Sequence, residues 1–273
     1  MIQKNDLIKE LRTRGYVVNP HTVIKNGDVE FQALSIIEKN TPLSPTIYID
    51  KILEMDNLDE AVEVVLNIYQ SSCNAPFNVD IDLLTNTEFI FNTVRIGIQK
   101  TSIQNGIKRA TDYDGIEQYL YYGENEWSIR LTDIILENAG ISDLQKLWHH
   151  AEKNTFSHTT IRSMLDIMRD MMGDEILSDA DFGGCDFDMY VITNSIGVKG
   201  ASAILDKETL KNFAQKHNWN KIAILPSSIH ECIIVPLDRE LSIDYLNKMV
   251  QEVNTTQVLP EDKLSDHVIV LNF

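Results

Sequence analysis

Lys221-Ile222-Ala223-Ile224-Leu225-Pro226-Ser227-Ser228-Ile229-His230-Glu231-Cys232-Ile233-Ile234-Val235 holds two short apolar runs separated by a proline and two serines. Short runs rich in Ile and Val, bounded by such punctuation, read as strands. The Pro-Ser-Ser step reads as a tight connection, because proline fixes φ and serine hydroxyls bond local backbone groups. Strands joined so closely pair antiparallel, since a parallel pair needs a long crossover. Upstream, Met189 to Thr193 is a strand, Asn194 to Gly197 a turn, and Gly200 to Leu205 a returning strand. Asp206 caps a helix with Leu210, Phe213, Ala214 and His217 on its inner face; Ser242 caps another with Leu246, Met249, Val250 and Val253. Pro260 breaks the chain before a last strand at His267 to Leu271. The order ββαββαβ predicts an α+β fold of antiparallel sheets covered by helices. Each helix offers one apolar stripe, so both are expected on the same face of a single sheet.

The earlier part of the chain reads less regularly. Asn5 to Arg12 is a short helix, and Lys25-Asn26-Gly27-Asp28 is a hairpin turn, because Asn-Gly readily takes positive φ. Val29, Phe31 and Ala33 alternate on the return strand. Asn57 with Glu60 has capping-box spacing, opening a helix through Leu58, Ala61, Val62, Val65 and Tyr69, with Ser71 to Asn78 as a loop. Phe89 to Gln99 reads two ways: Phe91, Val94 and Ile98 suit a helix, while Thr93, Arg95 and Gly97 between apolar residues suit the strand expected here. Tyr119 to Tyr122 and Ile129 to Leu136 read as hairpin strands about Gly123-Glu124-Asn125-Glu126. Ser142 with Gln145 opens a helix toward His150, and Thr159 to Met172 is a helix with a stripe of Met164, Met168, Met171 and Met172. Two lobes are expected, 1–155 and 156–273, or one continuous domain.

With 273 residues and 43% hydrophobic content the chain can bury a core without staples. Its net charge of −17 makes nucleic acid and anionic membranes poor partners. MIQKNDLIKELR lacks the apolar core of a signal peptide, no apolar run is long enough to span a bilayer, and Cys73, Cys185 and Cys232 form no CxxC pair. A cytoplasmic protein with reduced thiols is expected. The acids are segregated. Ile52–Val94, Ala110–Ile129 and Asp170–Val198 contain 20 of the 41 acids and none of the 24 Lys and Arg residues. One reading is a solvated surface that aids solubility. The other is a negative surface that attracts a basic partner, with Asp174, Glu175, Asp179, Asp181, Asp186 and Asp188 as binding residues, and at least two stretches on one side.

Ser228, His230 and Glu231 are the candidate catalytic residues, with Ser227 beside them and Asp266 brought near by folding. A serine nucleophile needs a base within hydrogen-bond reach, oriented by a third group. In an extended chain Ser228 and His230 share a face while Glu231 points away, which opposes a local triad. No metal and no cofactor are expected. The acids beside Gly183-Gly184 fail the EF-hand spacing, Asp181-Phe182-Gly183 has no accompanying glycine-rich loop, and neighbouring His149 and His150 face different directions on a helix. No phosphate-loop or GxGxxG motif occurs.

Several phrases recur in order: Ser44-Pro45-Thr46-Ile47-Tyr48, Tyr190-Val191-Ile192-Thr193-Asn194, Gly200-Ala201, Leu225-Pro226-Ser227-Ser228-Ile229-His230-Glu231, Met249-Val250-Gln251-Glu252-Val253-Asn254 and Leu264-Ser265-Asp266-His267-Val268. In these the chain resembles the uncharacterised bacterial domain-of-unknown-function family 5688, most specifically over its last third. The resemblance implies a soluble bacterial protein, often carried with mobile elements, and transfers no catalytic role. Together these readings point to an acidic cytosolic binding protein that engages a protein with a basic surface, a nucleic-acid-binding or defence protein. The alternatives are a hydrolase using Ser228, His230 and Glu231, and an adaptor docking through the Met-rich helix 159–172.

Overall fold

Leu7, Ile8 and Leu11 fall on one side of helix α1 (Lys4–Thr13) and are buried. Strands β1 (Val17–Lys25) and β2 (Val29–Ile37) form the expected hairpin, with Gly27 and Asp28 at φ 72° and 55° in its turn. The core takes Leu34 and Ile36 of β2, so the expected Val29–Phe31–Ala33 alternation lies on the opposite face from that core. Strand β3 (Thr46–Tyr48) pairs with β2, helix α2 (Asp50–Leu53) follows, and helix α3 (Leu58–Asn74) packs Ala61, Val62, Val65 and Tyr69 into the same core. Asn57 caps α3, its side-chain oxygen accepting the Asp59 and Glu60 N–H groups. The helix runs to Asn74, past the start of the expected loop, because Ser71 and Ser72 continue its backbone ladder.

The structure, a computed structural model, describes residues 1–37, 44–74, 81–124, 127–172, 188–237 and 241–273. The elements above form one compact unit, Met1–Asp80; the second is Ile81–Phe273.

In the second unit, helix α4 (Thr87–Thr93) is capped by Asn86 and leads into strand β4 (Arg95–Lys100), so Phe89 to Gln99 is helix then strand. Strand β6 (Ile116–Glu124) is central. It pairs antiparallel with β4 on one side and with β5 (Lys108–Ala110) and β7 (Trp127–Arg130) on the other. The segment expected to continue β7 to Leu136 instead forms helix α5 (Asp133–Asn138), because Thr132 caps it at the Ile135 N–H. Helix α6 (Leu144–Phe156) starts at Asp143, which bonds the Lys146 N–H in place of the expected Ser142 cap. Leu136, Leu147, Trp148 and Ala151 cover one face of the central sheet, packing on Ile96, Leu120, Tyr122 and Leu131.

Thr159 to Ser163 is strand β8 and not the start of the Met-rich helix; its β-branched residues pair with β9 (Tyr190–Asn194), leaving α7 (Met164–Met172) to begin five residues later. Gly200 to Leu205 is a 3-10 turn and not a strand, followed by α8 (Lys207–Lys216) capped by Asp206. Strands β10 (Lys221–Leu225) and β11 (Cys232–Pro236), helix α9 (Ile243–Thr256) and strand β12 (Ile269–Asn272) complete an antiparallel sheet of order β12-β10-β11-β9-β8. The fold is α+β.

The two helices do not share a face. Leu210 and Ala214 of α8 pack on Ile222, Ile224, Cys232 and Ile234, whereas Leu246 and Val250 of α9 pack on Ala223, Leu225, Ile233 and Val235. Even and odd positions of β10 point oppositely, so the sheet is buried between helices. A stripe on each helix is equally compatible with either face; the unbroken apolar runs of β10 and β11 are the signal for burial on both. The core under α8 also takes Ile98 and Ile116 of the central sheet and Tyr113, whose hydroxyl donates to the Ile204 carbonyl at 2.9 Å. Ile98, Tyr113 and Ile116 therefore share a core with the C-terminal sheet.

Candidate functional site

Proline and serine shape the loop after β10 as expected, but the loop does not assemble a triad. Ser228 Oγ accepts the His230 backbone N–H at 3.0 Å. The backbone of Ser227, Ser228 and Ile229 is pinned to the segment 262–264: Leu264 N–H donates to the Ser227 carbonyl, Ser228 bridges Lys263, and Ile229 N–H donates to the Asp262 carbonyl. His230 Nδ1 accepts the Lys199 backbone N–H at 3.2 Å, which leaves Nε2 to carry the proton, 3.3 Å from Asp262 Oδ1. Glu231 is exposed. Asp266, the distal carboxylate expected near the histidine, accepts instead from Asn254 Nδ2 at 2.7 Å. So the structure brings an imidazole and a carboxylate together, His230 with Asp262, and engages the Ser228 hydroxyl elsewhere. Gly200 lies against this loop: a Cβ there would sit 2.7 Å from the His230 carbonyl and 2.6 Å from the Asn194 nitrogen.

The acidic stretches are unlike one another. Glu54, Asp56, Asp59, Glu60 and Glu63 are all exposed in the first unit, with Arg14 reaching Glu10, Asp59 and Glu63. In the second stretch Glu117 is buried and accepts from Gln99 and Lys108, and Asp112 is paired with Lys207. That stretch is therefore not a free acidic surface throughout. In the third, Asp170 pairs with Arg162 and Asp188 is exposed; Asp174, Glu175, Asp179, Asp181 and Asp186 lie outside the described residues. His150 stacks edge-on against Phe91, and no group of metal-binding side chains occurs among the described residues. No described helix is long and apolar enough to cross a membrane.

A constellation that the sequence reading did not single out lies on the other face of the central sheet. Strand register puts Arg95 opposite Tyr121, Gly97 and Lys108 opposite Tyr119, Gln99 opposite Glu117, and Tyr121 opposite Arg130, so these side chains share a face. Tyr119 lies across Gly97, where a Cβ would come within 2.5 Å of the ring. The Arg130 guanidinium stacks 3.9 Å above the Tyr119 ring, and its Nη2 donates to Gln99 Oε1 at 2.6 Å. From the loop that holds His230, Lys199 sends its Nζ to within 4.4 Å of the Tyr121 ring centre and 2.5 Å of Ser128 Oγ. Lys199 holds φ 55°, a left-handed backbone uncommon for a side-chain-bearing residue. Burial, aided by the Arg130 charge, pulls its ammonium down to about 8. Burial pushes the Tyr119 hydroxyl up to about 12 and raises that of Tyr121. The readable signal was positional: Arg95, Arg130 and Lys199 are the first bases after the three base-free stretches.

The model of a family of unknown function (DUF5688) matches residues 117–271, which takes in β7 and all but the end residues of β6 and the C-terminal sheet. No curated protein and no solved structure matches the chain.

Proposed function

The chain belongs to this family of unknown function, and we propose that it is a cytosolic, non-enzymatic binding protein whose partner is a protein with a basic surface. The observation that carries this reading is the run of exposed acids Glu54, Asp56, Asp59, Glu60 and Glu63, five carboxylates that Arg14 and the N-terminal ammonium answer only in part, in a stretch with no Lys or Arg of its own between Ile52 and Val94. Closely set like charges project a field that an interspersed cation would weaken, and such fields accelerate association with an opposite surface. Asp174, Glu175, Asp179, Asp181, Asp186 and Asp188 extend the same charge along the sequence. The hydrolase reading draws no support from the Ser228 loop, where hydroxyl and imidazole serve different partners. The adaptor reading has one observation in its favour: Met171 of α7 is 81% exposed.

The test is capture of partners from the native host with the wild-type chain and two charge-reversed variants, one at Glu60 and Glu63, one at Asp179, Asp181, Asp186 and Asp188. A basic protein whose capture weakens with salt, and whose association slows in at least one variant, is the expected result. Capture indifferent to salt and to both reversals would overturn the reading.

A further inference from the structure

In a chain of net charge −17, the strand residues on the polar face of the central sheet carry Arg95, Lys108 and Arg130 against the single carboxylate Glu117. Lys108 is answered by Glu117, 3.0 Å away. Arg95 and Arg130 then remain with Lys199, whose ammonium is half-buried and repelled by Arg130. A cluster kept only for packing would satisfy its donors, because an orphaned buried N–H costs more than its bond returns. Arg130 Nη1 is buried with no hydrogen-bond partner among the described residues.

We propose that this face is a binding site for a phosphoryl anion, held among Arg95, Arg130 and Lys199. A phosphoryl group carries close to two negative charges at neutral pH and three acceptor oxygens. That matches three cations with no carboxylate ion pair among the described residues better than a singly charged planar carboxylate does. Arginine and lysine are the usual partners of phosphate, one as a planar fork and the other as a compact charge. The Arg130 guanidinium lies flat over the Tyr119 ring, so its stacking on the phenol leaves the edge of the fork, where Nη1 sits, to bond an anion. Arg95, Arg130 and Lys199 are each only partly buried and Ser128 is exposed, so the group is reached from solvent. The site goes beyond the acidic-surface reading and stands or falls independently of it, since none of its residues is one of the proposed acidic contacts.

The experiment titrates the full chain with inorganic phosphate and, separately, with phenyl phosphate, against sodium chloride at matched ionic strength, reading heat and the unfolding temperature. Saturable binding that raises the unfolding temperature above the chloride control is expected. Arg130→Met should weaken it roughly 10- to 100-fold, the loss expected when one charged hydrogen-bonding partner goes. Lys199→Met should weaken it in the same direction, and keeps the test decisive if the Arg130 variant does not fold. Lys248→Met, an exposed lysine on α9, should change nothing. Tighter binding of the ester identifies a phosphoryl group on a larger molecule, and equal binding identifies free phosphate; both uphold the site. No stabilisation beyond chloride, or equal binding by both site variants and wild type, would overturn it.

Discussion

The two sheets of the second unit use the same antiparallel ladder to opposite ends. The C-terminal sheet buries both faces: Ile222 and Ile224 under α8, Ala223 and Leu225 under α9. The central sheet packs apolar side chains on one face, with Ile96, Leu120 and Tyr122 under α5 and α6, and gives the other to a polar layer in which Gln99, Glu117 and Tyr119 are buried and Arg95 and Arg130 half-buried. Strand composition separates the cases. Ile222 to Leu225 is apolar without interruption, whereas Arg95-Ile96-Gly97-Ile98-Gln99 alternates. The first pattern belongs to a sheet with apolar packing on both sides, the second to a sheet with one face given to polar side chains.

The largest expected effect tests the enclosure. Leu210→Ala and Leu246→Ala should each cost about 2–5 kcal/mol in denaturant unfolding, because each removes a fully packed side chain from a different face. A near-neutral Leu246→Ala would mean that α9 does not seal its side, and the contrast between the sheets would collapse.

A smaller effect is expected where the two sheets' loops meet the His230 turn. Gly200→Ala places a methyl 2.1 Å from Thr193 Oγ1 and against two backbone atoms that cannot swing aside. It should cost about 1–3 kcal/mol, typical of overpacking. It should also disturb Lys199, its neighbour on the polar face. An unchanged unfolding midpoint would show that the loop adjusts freely and positions nothing.

Much of this was legible from the chain. The hairpin at Gly27, the caps at Asn57, Asp206 and Ser242, and the strand–turn–strand at 221–235 follow from local chemistry that tertiary packing did not override. Gly200 to Leu205 misled because a short run of small and apolar residues is equally at home in a strand or a buried turn. Thr159 to Ser163 was absorbed into the Met-rich helix although two threonines and an isoleucine favour a strand once β9 lies beside them. At the site, the Ser228–His230 spacing was visible, but their partners were not: Asp262 and Lys199 come from distant segments. The polar face was hardest to see, because register alone unites Arg95 with Arg130, and only the path of the 195–200 loop adds Lys199.

The central claim is that this polar face carries charge at a cost to the fold, and Lys199 tests it most directly. Its ammonium is lowered from 10.5 to about 8 by burial and by Arg130, while Tyr121 and Ser128 face it. Between those values the folded chain binds fewer protons at this site than the unfolded chain, so stability from Lys199 rises with pH there. Below pH about 8 the full penalty of the buried charge is present. The measurement is denaturant unfolding of wild type and Lys199→Met at pH 7 and across the window from about 8 to 10.5. The account predicts that Lys199→Met is the more stable protein at pH 7 and that its advantage shrinks as pH rises. A Lys199→Met variant that is less stable at pH 7, by a margin that does not change with pH, would contradict it.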